Sequence, residues 1–132
     1  MTSARYLKVF LATLPIFLVV DAIWLVGIAR GFYDQQLAAF ERTVRWPSAI
    51  LVYLLLVAGV VLFTVPLAGG HPGRAFLYGA AFGVVAYGTY DLTNYALLRE
   101  WPLAMTIADM IWGGAVQGFT AVVATLINNR LG

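Results

Sequence analysis

Apolar residues gather into four long runs, residues 7–29, 48–68, 75–98 and 103–127, separated by short polar stretches. Lys8 and Asp21 interrupt the first, no charge interrupts the second, and the third and fourth hold one acid each, Asp91 and Asp109. Each run reaches the roughly 20 helical residues that cross a hydrocarbon layer of about 30 Å. None alternates polar with apolar, which excludes the strands of a membrane β-barrel. The pattern predicts an all-α membrane protein, a single transmembrane domain over residues 1–132 with four transmembrane helices in a compact bundle. Arg5 and Lys8 ahead of the first run have the look of a signal peptide. Asp21 inside the run and the lack of a clean small-x-small site point instead to a retained helix.

Four crossings place both termini on one side with Arg5, Lys8, Arg74 and Arg130, opposite Arg30, Arg42, Arg45 and Arg99. The positive charge is tied, and Arg5 and Lys8 beside the first helix tip the expectation towards termini in the cytoplasm. The one sizeable loop, residues 31–47, carries Tyr33, Leu37, Phe40 and Val44 at helical spacing among charged residues, which predicts a short interfacial helix. The loop Gly69-Gly70-His71-Pro72-Gly73 is a helix breaker, and its histidine is read as solvated.

Composition narrows the function. Of 132 residues, 62% are hydrophobic and 11% charged, against about a quarter charged in soluble domains. A water-soluble globule and a disordered chain are excluded. A net charge of +2 makes no basic patch for nucleic acid. With no cysteine and one histidine, thiolate metal sites, disulfides and multi-histidine iron sites are excluded as well. No cofactor is predicted, and nothing points to haem, flavin or nucleotide.

The acids are the informative residues. Asp21 precedes Arg30 by nine residues, Asp91 precedes Arg99 by eight, and Asp109 follows Trp101 by eight. At 1.5 Å per residue each lies about 12 Å inside the same surface. Tyr53 reaches that level from the second helix. Tyr87 and Asn94 flank Asp91 at helical spacing, as Trp24 flanks Asp21 and Thr106 and Trp112 flank Asp109. A ligand- or proton-binding site lined by Asp21, Asp91, Asp109, Asn94, Tyr53, Tyr87 and Thr106 is the expectation. Three carboxylates cannot all stay ionised close together without cations, so one is protonated at neutral pH or a cation enters. If a metal binds, a divalent cation on Asp21, Asp91 and Asp109 is the expected form.

The halves read alike. Asp21-Ala22-Ile23-Trp24 and later Arg45-Trp46-Pro47 correspond to Asp91-Leu92-Thr93-Asn94 and Arg99-Glu100-Trp101-Pro102. This suggests a 2+2 internal repeat, with Trp46 and Trp101 as interface anchors. Gly79-x-x-x-Gly83 and Gly114-x-x-x-Gly118 are spaced for close helix packing, within the bundle or between subunits.

Tyr90-Asp91-Leu92-Thr93-Asn94, Trp101-Pro102, Asp109-x-x-Trp112-Gly113 and Asp21-x-x-Trp24-Leu25 together resemble a family of small bacterial inner-membrane proteins of unknown function, the domain-of-unknown-function family 2177. The resemblance spans essentially the whole chain and implies a multi-pass protein of the bacterial inner membrane. It implies no activity.

Three functions remain. The favoured one is binding or proton-coupled transport of a small cation or amphipathic ligand at the acid cluster. Size, helix number and even charge distribution are similar to small multidrug-resistance transporters, although those carry a glutamate early in the first helix and Asp21 is late. The second is a lipid- or isoprenoid-modifying enzyme using the acids as acid/base or metal ligands. Tyr90-Asp91 resembles one motif of intramembrane aspartyl proteases, whose Gly-x-Gly-Asp motif is missing at Ile107-Ala108-Asp109. The third is a non-catalytic subunit or assembly factor. Expected partners are membrane lipids and either a second copy or another membrane subunit, with no nucleic acid.

Overall fold

Proline and glycine set the ends of the helices. The computed structural model describes residues 2–132. Helix α1, Ser3–Ala22, starts under a Thr2 cap whose hydroxyl accepts from the Arg5 amide at 3.2 Å, and runs on into a π-helical stretch, Ile23–Ile28. A short α2, Arg30–Gln36, follows. Helix α3, Trp46–Gly59, opens with Pro47, where a missing N–H costs nothing, and passes through a second π-helical stretch, Val60–Thr64, into α4, Val65–Ala68. Pro66 lies just beyond that wide turn, and the Thr64 hydroxyl donates to the Val60 carbonyl at 2.6 Å. Gly69 and Gly70, at φ 59° and 85°, take the left-handed conformation that reverses the chain. Helix α5, Pro72–Leu97, and helix α6, Leu103–Leu131, complete the chain, and the described residues contain no strand.

These elements form four rods. Three of them, Ser3–Ile28, Trp46–Ala68 and Leu103–Leu131, are long and apolar enough to cross a membrane. The fourth, α5, has 26 residues but is diluted by glycine, tyrosine, threonine and Asp91. The rods outrun the apolar runs by a few residues because caps and first turns recruit polar side chains. The outer surface is apolar, with Leu77, Val85 and Ile111 each about two-thirds exposed.

Helices α5 and α6 pack most extensively. A Cβ on Gly83 would fall on the Gly113 carbonyl, and one on Gly79 would meet Ala121 and the Gln117 carbonyl. Gly118 gives room to the Phe76 ring and Gly114 to Val84. All four spaced glycines therefore act inside the bundle, where small residues let backbones approach. Arg5 donates to Asn128 Oδ1 at 2.6 Å, and Trp112 donates to Asp21 Oδ1 at 3.3 Å. These two bonds fix α1 antiparallel to α6 in a single register. Val9, Phe17, Val57, Val60, Val116 and Ala124 fill the core in the half nearer the termini. In the other half α3 packs against α1, while contact with α5 and α6 passes through the second π-helical stretch and α4.

The connector holds the expected short helix in its first part only. It is helical only over Arg30–Gln36, then turns and extends, and Val44 is exposed. Leu37 leaves the helix to pack with Trp101 and Met105, and Phe40 stacks obliquely on Trp101 at 5.6 Å between ring centres. Arg42 donates to Asp34 at 2.8 Å, closing the loop on itself. Trp101 is accordingly buried, not an outward anchor, whereas Trp46 is exposed. The matching spellings of the two halves thus take different structures.

Candidate functional site

The half of the bundle where α3 stands away from α5 holds a cavity of about 440 Å³. Asp21, Tyr53, Tyr87, Tyr90, Asp109 and Trp112 give it its chemistry, with Leu25, Val52 and Leu56 on its apolar side. All four rods and α2 contribute. Asp21 sits in the last turn of α1 and Asp109 in the second turn of α6, and both carboxyls are more than nine-tenths buried.

Each carboxyl is held by an aromatic donor. Trp112 Nε1 donates to Asp21, with the Tyr53 hydroxyl beside it. The Tyr33 hydroxyl donates to Asp109 Oδ1 at 2.8 Å and accepts from Trp24 Nε1 at 2.9 Å. Burial, first of all, pushes the Tyr33 phenol well above its usual range, so it remains a proton donor to Asp109. The two indoles bind the halves of this network together, since Trp24 and Trp112 stack at 4.3 Å with ring planes 6° apart. Trp24 takes that position in the π-helical stretch that begins two residues after Asp21. Such widened turns recur at functional sites.

The other expected site residues are placed differently. Asp91 is fully buried beside Asp109, outside the cavity lining, and neither of its carboxyl oxygens has a hydrogen-bond partner. Asn94, one turn further along α5, is partly exposed and away from the cavity. Thr106 accepts from Trp101 Nε1 at 3.1 Å and donates to the Pro102 carbonyl at 3.0 Å, so its hydroxyl is spent on the start of α6. Of the seven residues, Asp21, Asp109, Tyr53 and Tyr87 line the cavity. Among the described residues no three acidic, cysteine or histidine side chains converge as metal ligands. Asp21 and Asp109 line the cavity without Asp91.

Two polar cavity residues, Tyr33 and Tyr90, lie outside the expected set, and a buried amide, Gln117, lies beyond the lining. Tyr33 enters from the connector, where its helical spacing pointed to an interfacial helix. Tyr90 lines the cavity from beside Asp91. Gln117 is fully buried with both amide atoms unpartnered, and its signal was available as a lone amide eight residues after Asp109. A family model described as "Predicted membrane protein (DUF2177)" matches residues 6–126 of this chain. No curated protein and no solved structure matches it.

Proposed function

The chain belongs to that family of membrane proteins, and from this premise we propose that its four rods cross the bilayer and that it binds a small amphipathic organic cation between Asp21 and Asp109. The single observation that carries this reading is an aromatic-walled cavity with two buried carboxyls on it. Its size falls in the range of small-molecule sites, about 300–1,000 Å³. Tyr53, Tyr87, Tyr90 and Trp112 offer ring faces to a cation, worth about 2 kcal/mol where water is excluded.

Energetics favour a ligand over a purely structural role for the acids. An aspartate at the centre of a membrane helix costs about 2.5–3.5 kcal/mol. One hydrogen bond returns about 1 kcal/mol. Asp109, on the cavity wall, has one such bond, from Tyr33. A cationic headgroup supplies the missing compensation. The cavity faces the seam between α3 and α5, where Val52 and Tyr90 are half exposed, so an apolar tail has a way out into lipid. Transport of the bound cation, coupled to protonation of the acids, is the natural extension.

Binding of tetraphenylphosphonium to the protein in lipid nanodiscs tests the reading. Asp21→Asn and Asp109→Asn keep an acceptor for Trp112 and Tyr33, so the bundle stays folded. Each is expected to weaken binding tenfold or more, about 1.4 kcal/mol. Equal binding by all three proteins, or none by the wild type, overturns it.

A further inference from the structure

Between the cavity and the end of the bundle that carries the termini, the packed core contains polar groups that nothing satisfies. Thr13 Oγ1, both amide atoms of Gln117 and Thr125 Oγ1 are buried without a hydrogen-bond partner, and all three residues are fully buried. Each such orphan is destabilising, because the group gives up its bonds to water and gains none in return. Among the described residues, the buried polar side chains on this stretch are these three with Thr64 and Thr120, and none is charged.

They fall at spaced levels. The Tyr87 ring lies against Gly113, four residues from Asp109 and four from Gln117. At the helical rise those are axial steps of about 6 Å each. The α1–α6 register puts Thr13 level with Thr120, about 4.5 Å beyond Gln117. Thr125 follows after about 7.5 Å, and Asn128, bonded to Arg5 at the surface, after about 4.5 Å more. A single water making two hydrogen bonds spans about 5.5 Å. Along the helix axis, each step is therefore one or two waters long.

We propose that Tyr87, Gln117, Thr13 and Thr125 form a proton-conducting file that joins the Asp21–Asp109 cavity to the end of the bundle bearing Arg5 and Asn128. Gln117 is its pivot, because its Nε2 donates and its Oε1 accepts, so it orients the waters on either side while the proton passes along those waters. The titratable groups facing the cavity end of the file are Asp21 from α1, Tyr33 from α2, Tyr53 from α3, Tyr87, Tyr90 and Asp91 from α5, and Asp109 from α6. At the far end Arg5 is the charged group. The file is distinct from the organic-cation site, and potassium with valinomycin balances the charge of the proton in a vesicle.

The test is an acid pulse applied to proteoliposomes containing a trapped pH dye, with valinomycin, with and without tetraphenylphosphonium. Wild type is expected to equilibrate pH at least tenfold faster than empty vesicles in one of the two conditions. Gln117→Leu should return to the empty-vesicle rate while unfolding no more easily than wild type, since it removes an unpaired amide. Thr125→Val should slow the flux in the same way, and Gln117→Glu should keep it. Wild-type flux equal to that of empty vesicles in both conditions overturns the file. So does unimpaired flux in Gln117→Leu, or a loss of thermal stability in that variant, which would make the amide structural. Flux without tetraphenylphosphonium binding would sink the cation reading and leave the file intact.

Discussion

Tyr33 shows how much one hydroxyl can hold. It takes a hydrogen bond from Trp24 and gives one to Asp109, so a single oxygen ties α2 to both α1 and α6. Tyr33→Phe leaves an indole N–H and a carboxylate oxygen without partners in a half-buried setting. A loss of about 1–2 kcal/mol of stability is expected, read as a lower unfolding midpoint in detergent. An unchanged midpoint would mean that the bond contributes nothing. The residue was not legible as a site member from the sequence, because periodicity ranks positions within a helix and says nothing about a connector that folds back. The acids were legible for the opposite reason: a charge in an apolar run is costly, so its depth can be counted from the polar ends. What counting could not supply was orientation. Asp21 and Asp109 face the cavity, whereas Asp91, at the same depth, is sealed beside Asp109.

The rods themselves follow from the apolar runs, which is why their number and order could be read directly. Their mutual packing rests on smaller features. Gly83 lies so close to Gly113 that a methyl group has no room, while Gly27 has nothing within 4 Å of where a Cβ would sit. Gly83→Ala should therefore cost about 1–3 kcal/mol of stability through overpacking. Gly27→Ala should stay within about 0.5 kcal/mol of wild type. Thermal unfolding of both variants in one detergent checks the contrast, and equal effects would place the α5–α6 contact elsewhere. The short helix of the connector was legible, but the course of the chain after it was not, because Leu37 and Phe40 have two apolar destinations. Helical spacing would align them for lipid, but Trp101 and Met105 offer a dry surface closer at hand. That choice buries Trp101 and draws α2 down over the carboxyls.

For the bundle as a unit, the number of crossings decides what the cavity connects. Cysteine is absent from the sequence, so single cysteines at the exposed positions Ser3, Gln35, His71 and Glu100 can be labelled cleanly. Four crossings predict that Ser3→Cys and His71→Cys react with an impermeant maleimide from one face of oriented vesicles, and Gln35→Cys and Glu100→Cys from the other. Reaction of His71→Cys and Glu100→Cys from the same face would leave α5 outside the bilayer. The fold also carries its own optical probe. Trp24 and Trp112, two nearly parallel indoles 4.3 Å apart, are close enough to share electronic excitation, so their near-ultraviolet signal depends on how the two rings sit on each other. One member donates to Asp21 and the other to Tyr33, so whatever loads the carboxyls must disturb that coupling before it disturbs the helices. A change of state at the two carboxyls is thus expected to show in the ultraviolet spectrum of the unlabelled chain.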